Sequence, residues 1–305
     1  MLYEEKLKLY DDEVKNSVDE LFTVADKYQS HYSDLLLIII HCFFNEDAVN
    51  WNNPNIPKLS PFVFGSGNEG LMLKSQNEFF HAYFNMYIIK EDEPQELKIF
   101  KEGNGPILNK SAIIQMELMF YLKSWEADLF LKILYNLSRL THGKNYDWHK
   151  KLKDTGRTNL ITENIRNMTK VTAPTFYNLI DSIYSPQIRN AIAHSKYWIA
   201  SDGIKFFNYD PSDKLNTLIG ITFIEWEVIF HKTILLYNHI FVFLQFYHNR
   251  YQELAKDKHF GHQIRINRKD GSIVYDWLRY NEPEGWMWYS NYSKYYLKRF
   301  HIIIK

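Results

Sequence analysis

Ser185-Pro-Gln-Ile-Arg-Asn-Ala-Ile-Ala-His194-Ser-Lys-Tyr-Trp-Ile199 (SPQIRNAIAHSKYWI) combines the start of a helix with polar residues set among small and aliphatic ones. Ser185 is a favourable N-cap residue and Pro186 suits the first helical turn, so the stretch predicts a helix that begins here. On a wheel of about 100° per residue, one side carries Ile188, Ala191, Ile192, Ser195 and Ile199, and the other carries Arg189, Asn190, Ala193, His194 and Tyr197. We expect the first side to face the core and the second to hold functional side chains.

The polar side of this helix predicts a contact with another helix. Asn190 and His194 are i and i+4 neighbours, Tyr197 lies one turn beyond His194, and Arg189 flanks them. Ala193 sits among them, and a residue this small lets a second backbone approach closely. Because an isologous contact repeats the same patch on both subunits, a second copy of the chain would bring two such polar sets together. The sequence therefore predicts a homodimer joined through the motif helix.

Composition limits the classes of protein to consider. The 305 residues include 46% hydrophobic and 17% aromatic residues, which predicts a globular chain with aromatic-rich packing. Lys and Arg number 36, as do Asp and Glu, so a polyanion such as RNA would have to meet a local patch. One cysteine, Cys42, suits a reducing compartment, and we expect a cytoplasmic protein. The most apolar run, Leu35–Phe44, is half the length of a membrane span, which needs about 20 residues, so no membrane partner is expected.

The periodicity of the sequence predicts a mainly α fold in three segments. Residues 1–110 form an N-terminal, mostly helical extension. Residues 111–256 form a helical bundle that contains the motif. Residues 257–305 form a C-terminal β-hairpin followed by an aromatic tail.

Within the bundle, the absence of Pro and Gly from Ser111 to Thr141 predicts one long helix. Shorter helices are predicted near 160–168 and 173–184, and a second long helix from Thr222 to Lys256. Short β-hairpins are predicted after the motif helix, with Asp202-Gly203 at the turn, and near the C-terminus, with Lys269-Asp-Gly at the turn.

Arg189-Asn190-x-x-x-His194 resembles the R-x4-6-H signature of the HEPN superfamily of helical ribonucleases, in which Asn often follows the Arg. The resemblance covers roughly residues 111–256. It implies a HEPN-like helical bundle that dimerises through a late helix to build a shared, metal-independent RNA-cleaving site. It also implies a further acidic or polar residue on an earlier helix, for which Glu126 and Asp128 are the candidates. On one continuous helix these two side chains point about 200° apart, so at most one of them could serve.

The chemistry implied by this resemblance is within reach of the residues themselves. His194 can take a proton from a ribose 2′-OH so that the oxygen attacks the adjacent phosphorus. Arg189 can stabilise the charge that grows on the phosphate oxygens, Asn190 can orient the phosphate or His194, and Tyr197 can contact the substrate. The expected products are a 2′,3′-cyclic phosphate and a 5′-OH, and DNA should resist because it lacks the nucleophile. No metal and no cofactor are expected.

A basic run precedes the motif in the sequence. Between Arg139 and Lys170 there are eight Lys or Arg residues and three Asp or Glu residues. Lys150, Lys151 and Lys153 at its centre are therefore predicted to bind the RNA backbone. A solvated helix face would have a similar composition, so both interpretations stay open.

Two functions follow from the sequence. In the first, the protein is an endoribonuclease, a stress or antiviral-defence toxin with an antitoxin or sensor as a further partner, whose terminal segments sense a trigger or select the RNA. In the second, it is a non-catalytic HEPN-like helical module that binds RNA, a nucleotide or a protein, and Arg189 and His194 serve the dimer contact.

Overall fold

The computed structural model describes residues 2–45, 61–65, 110–152, 156–256, 261–282 and 285–289, with isolated residues between 75 and 95. Helices predominate, which confirms the prediction of a mainly α fold. They are α1 (Glu4–Tyr28), α2 (Asp34–Ile39), α3 (Lys110–Glu126), α4 (Asp128–Leu140), α5 (Arg157–Asn159) with the π-helical stretch Leu160–Asn167 that continues it, α6 (Pro174–Ile183), α7 (Pro186–Ala193) and α8 (Phe223–Lys256).

The strands of the described residues are short and form four small sheets. They are β1 (Leu2–Tyr3), β2 (Phe43–Phe44), β3 (Phe62–Val63), β4 (Ile88–Ile89), β5 (Tyr197–Ile199), β6 (Gly203–Phe206), β7 (Gly220–Thr222), β8 (His262–Asn267), β9 (Ile273–Asn281) and β10 (Gly285–Trp288). β1 pairs with β4 in parallel, whereas β2–β3, β5–β6–β7 and β8–β9–β10 are antiparallel. Both predicted hairpins, β5–β6 and β8–β9, are confirmed, and each gains a third strand that the sequence analysis did not predict.

Helix α8 is the centre of the fold. It is apolar nearly all round and packs against α1, α2, α3 and α6, so most of its faces are buried. By length and composition alone it could cross a membrane, but 61% of its most apolar window is buried inside the protein. That burial is the usual arrangement of a core helix and is consistent with a soluble protein.

The described parts of all three predicted segments share one hydrophobic core. Helix α1 packs along α8, which joins the N-terminal segment to the bundle. Asp34 of α2 forms a buried ion pair of 3.0 Å with Arg265 of β8, and the indole N–H of Trp148 donates to the carbonyl of Arg265 at 3.2 Å. The described parts of the N-terminal and C-terminal segments therefore pack against the bundle.

The prediction of one long helix from Ser111 to Thr141 is wrong. The helix is interrupted at Ala127, whose extended backbone (φ −71°, ψ 105°) separates α3 from α4. A tertiary contact stabilises this break, because an Arg157 guanidinium N–H donates to the carbonyl of Glu126, the last residue of α3, at 3.0 Å. Nothing in the local sequence of the helix signals that partner.

The motif helix α7 is shorter than predicted. It ends at Ala193, and His194 and Ser195 follow as its C-cap and a left-handed residue with φ 53°. The Lys196 N–H donates to the Ala191 carbonyl at 2.7 Å and the Ser195 N–H to the Ile192 carbonyl at 3.2 Å, which is the Schellman pattern of helix termination.

Three side-chain positions predicted from the helical wheel are therefore wrong, because Ser195, placed on the core side, is exposed beyond the end of the helix. Tyr197 and Ile199 lie in strand β5 and do not share the helix with His194.

Candidate functional site

Hydrogen bonds of Tyr121 hold the start of α7 against α3. The Ser185 hydroxyl caps the helix by accepting the Ile188 N–H at 3.3 Å, which confirms the predicted N-cap. Just before it, the buried Tyr121 hydroxyl of α3 donates to the Ile183 carbonyl at 3.0 Å and accepts the Ser185 N–H at 3.2 Å. These bonds hold the corner between α6 and α7 against α3 and bring the first turn of α7 close to the end of that helix.

Arg189 is held by two neighbours. Its Nε donates to Glu126 Oε1 at 2.6 Å, its Nη2 donates to the same oxygen, and its Nη1 donates to Asn190 Oδ1 at 2.8 Å. A guanidinium has five N–H donors, so these three contacts leave one on Nη1 and one on Nη2. The Arg189 side chain is 18% exposed, and it is therefore oriented but still reachable from solvent. The amide oxygen of Asn190 therefore accepts a hydrogen bond from Arg189.

A second arginine completes the charged cluster. Arg157 contacts Glu126 Oε2 through Nε at 3.1 Å and Asp128 Oδ1 through Nη1 at 2.6 Å. Of the two predicted acids, only Glu126 contacts Arg189. Asp128 begins a different helix, and its carboxylate contacts Arg157 instead. The expectation that both acids lie on one helix is wrong, since the break at Ala127 turns both of them toward Arg157. The positive charges of Arg157 and Arg189 are therefore matched by the negative charges of Glu126 and Asp128.

Tyr184 lies against this cluster and is buried. Burial raises the pKa of its hydroxyl, while the Thr158 hydroxyl and the Arg189 guanidinium act in the opposite direction. Sequence reasoning missed both Tyr184 and Arg157. The only local signal for Arg157 is Gly156 before it, with φ 91°, a conformation that favours glycine, and Tyr184 is marked only by its place beside the Ser185 cap.

His194 is exposed at the C-terminal end of α7. It makes no side-chain hydrogen bond or ion pair with the part of the chain that the structure describes. Five helical steps lead from Arg189 to His194, which corresponds to about 140° of rotation and roughly 7.5 Å of rise. One chain therefore directs Arg189 toward α3 and leaves His194 at the surface beside Ala193, which is also exposed.

Tyr197 is positioned by α3 and not by the motif helix. Its hydroxyl accepts a hydrogen bond from the side-chain amide of Gln115, and its ring is half-buried. A direct role for Tyr197 in RNA binding stays a prediction.

The basic run is only partly available to a ligand. The Lys150 ammonium lies 4.4 Å from the centre of the Tyr135 ring, and burial lowers its pKa. Arg139 donates to the Asn145 carbonyl, so it too is used inside the loop that follows α4. Lys151 is exposed, and Lys153 lies outside the described residues. RNA binding by this run stays a prediction.

Lys150 and the motif lie beside different parts of α4, whereas Arg157, which also belongs to the basic run, shares Glu126 with Arg189. Asp128 begins the helix beside the charged cluster, whereas Tyr135 supports Lys150 seven residues further on, a rise of about 10 Å. An RNA strand that touches both would therefore have to follow the length of α4.

Comparison of the chain with family models, curated proteins and solved structures finds no match. The likeness to the HEPN superfamily therefore depends on Arg189, Asn190 and His194 themselves.

Proposed function

We propose that this protein is a metal-independent endoribonuclease of HEPN type. The observation that supports this function best is the pairing of an oriented arginine with an exposed histidine on one short helix. Glu126 and Asn190 orient Arg189 and leave it two N–H donors, while His194 has no side-chain partner among the described residues. Both groups are therefore available to a phosphodiester.

The proposed reaction is an intramolecular displacement within RNA. Neutral His194 removes the proton from a 2′-OH, the 2′-oxygen forms a bond to the adjacent phosphorus, and the bond from phosphorus to the 5′-oxygen breaks. The two remaining N–H groups of Arg189 donate to the phosphate oxygens as negative charge accumulates on them. The leaving 5′-oxygen takes up a proton, so the products are a 2′,3′-cyclic phosphate and a 5′-OH.

The orientation of the two side chains favours a site shared between two copies. Arg189 is turned toward α3 and His194 toward solvent, and no contact joins them within one chain. An isologous contact through the exposed Ala193 would bring the histidine of one subunit toward the arginine of the other. We therefore propose a homodimer as the active form.

The biological role is proposed from the resemblance alone. A ribonuclease of this type acts as a stress or antiviral-defence toxin in the cytoplasm, with RNA as substrate and an antitoxin or sensor as a further partner. No metal or cofactor is part of the proposed reaction.

A second candidate function is supported by the charge balance of the same cluster. Arg189 and Arg157 are neutralised by Glu126 and Asp128, and these contacts join the end of α3 to the first turn of α7 and to the starts of α4 and α5. A cluster of this kind can serve to hold helices together. The alternative is therefore a non-catalytic HEPN-like module that binds RNA, a nucleotide or a protein.

Cleavage of labelled single-stranded RNA in the presence of EDTA separates the two functions. The wild-type protein should cleave, and His194→Ala and Arg189→Ala should each reduce the rate by about 10²–10⁴-fold. His142→Ala, which removes an exposed histidine outside the motif, is the matched control and should cleave normally. RNA that is bound but not cleaved by the wild-type protein would favour the non-catalytic module.

A further inference from the structure

A cavity lies away from the motif helix, between the end of α2, strand β3 and the residues after it, the middle of α8 and strand β10. Its volume is about 450 Å³, which is within the range of roughly 300–1,000 Å³ typical of small-molecule sites. Its aromatic walls include Phe64, Phe241 and Trp286, and its polar groups are His41, His248 and Gln245. None of the described residues that line it is Asp, Glu, Lys or Arg. The proposed ribonuclease activity does not involve this cavity.

His41 occupies a strained position at the edge of this cavity. It has a left-handed backbone (φ 55°) at the end of α2, where the Cys42 N–H donates to the Leu37 carbonyl at 3.0 Å and the His41 N–H to the Ile38 carbonyl at 3.1 Å. Glycine is the usual residue at this point of a Schellman motif, because a side chain there adds strain.

The imidazole of His41 is also poorly satisfied. Its Nδ1 is buried and has no hydrogen-bond partner in the described part of the chain. Burial lowers the pKa of His41 to about 4, and the nearby His248 acts in the same direction, so the ring is neutral at pH 7. Strained backbone positions cluster at functional sites, and an unsatisfied buried nitrogen is an exception in a folded protein.

His248 supplies a second neutral imidazole. Its Nε2 accepts the indole N–H of Trp286 at 3.0 Å, which assigns the ring proton to Nδ1. Burial lowers the pKa of His248 as well. The cavity therefore combines aromatic faces with one side-chain amide and two uncharged imidazole rings, of which His248 keeps its Nδ1–H as a donor.

We propose that this cavity binds an uncharged, planar heteroaromatic molecule, stacked on its aromatic side chains and hydrogen-bonded by His41 or His248. A charged ligand would lose hydration here without meeting an opposite charge, which is costly. A neutral heteroaromatic ring can stack on the aromatic walls and form hydrogen bonds with the neutral imidazoles. Such a ligand would bridge α2 and β10, which come from the two ends of the chain, across the central helix α8.

Titration of the full chain with neutral and charged probes tests this proposal. The neutral probes are indole, quinoline and adenosine, and the charged counterparts are indole-3-acetate, quinoline-4-carboxylate and adenosine 5′-monophosphate. Calorimetry should detect at least one neutral probe with a Kd below about 1 mM and a counterpart at least tenfold weaker. Absence of binding by all three neutral probes, or equal affinity for the charged partner, overturns the proposal.

Two substitutions and one control locate the bound probe. Gln245→Trp places an indole over the opening and should lower affinity at least tenfold, whereas Val242→Trp, at a 52% exposed position on the same helix, should leave it unchanged. His41→Gly suits the left-handed backbone and should keep the protein folded while lowering affinity about tenfold. If a probe binds Gln245→Trp and His41→Gly as tightly as it binds the wild type, it binds elsewhere and the assignment of this cavity is wrong.

Discussion

Replacing Glu126 with alanine should destabilise the protein by about 2 kcal/mol. Breaking a fully buried ion pair costs about 3–5 kcal/mol, whereas an exposed pair contributes about 0–1 kcal/mol. The Arg189, Arg157 and Glu126 side chains are 18%, 11% and 27% exposed, so the cost should fall between these limits. Arg189 loses its only carboxylate partner among the described residues and keeps only Asn190.

Asp128→Ala is the matched comparison for this prediction. It removes one carboxylate from Arg157, which still contacts the Glu126 carboxylate at 3.1 Å and the Glu126 carbonyl at 3.0 Å. Its cost should therefore be about 1 kcal/mol or less. Urea denaturation of the wild type and both variants at pH 7 and fixed salt gives the difference in the free energy of unfolding.

A double-mutant cycle identifies the contact responsible. Combining Glu126→Ala with Arg189→Ala should recover part of the loss and give a coupling energy of at least about 1 kcal/mol, because the variant lacking both partners leaves no uncompensated guanidinium. Equal costs for the Glu126 and Asp128 variants, or a coupling energy near zero, would refute the conclusion that Glu126 holds Arg189 in place.

Three further predictions follow from the structure. Ala193→Trp should block the motif-helix contact, so light scattering should show a monomer with reduced RNA cleavage; a monomeric wild type that cleaves RNA would exclude the shared site. Changing Lys150, Lys151 and Lys153 to Glu should weaken RNA binding and lower the slope of log affinity against log salt by roughly 0.7 per lost phosphate contact, and unchanged affinity and slope would identify the run as ordinary surface. Burial lowers the pKa of His231 to about 4, so below about pH 6.5 the unfolded chain binds a proton that the folded protein does not bind. The free energy of unfolding should therefore fall as the pH drops from about 6.5 toward 4. This loss amounts to about 3 kcal/mol, and unfolding curves between pH 4 and 7.5 should show a smaller loss in His231→Leu than in the wild type.

The sequence predicts those parts of the fold that depend on local chemistry. Ser185 and Pro186 mark the start of α7 because capping involves only neighbouring residues. Lys269-Asp-Gly marks the turn between β8 and β9, where Gly271 has φ 83°. Helix α8 is evident from a long apolar run without Pro or Gly.

The parts that the sequence did not predict depend on distant partners or on backbone bonds. The break at Ala127 depends on Arg157, which lies 30 residues further along the chain. The end of α7 depends on a Schellman motif with Ser195 in place of the usual glycine, so composition gave no stop signal. For the same reason, the motif pattern identified Arg189 and His194 as candidates but not the place of Arg157 and Tyr184 beside Arg189 and Glu126.

The ends of the RNA products test the central claim most directly. A 5′-labelled single-stranded RNA is incubated with the protein in EDTA, beside the same oligonucleotide carrying a 2′-deoxy residue at the mapped cleavage position. The proposed mechanism predicts a 2′,3′-cyclic phosphate and a 5′-OH from the first substrate, and no cleavage at the deoxy position in the second. Loss of both products in His194→Ala and in Arg189→Ala is expected. Cleavage next to the deoxy residue, products with a 3′-OH and a 5′-phosphate, or full activity in either variant would contradict it.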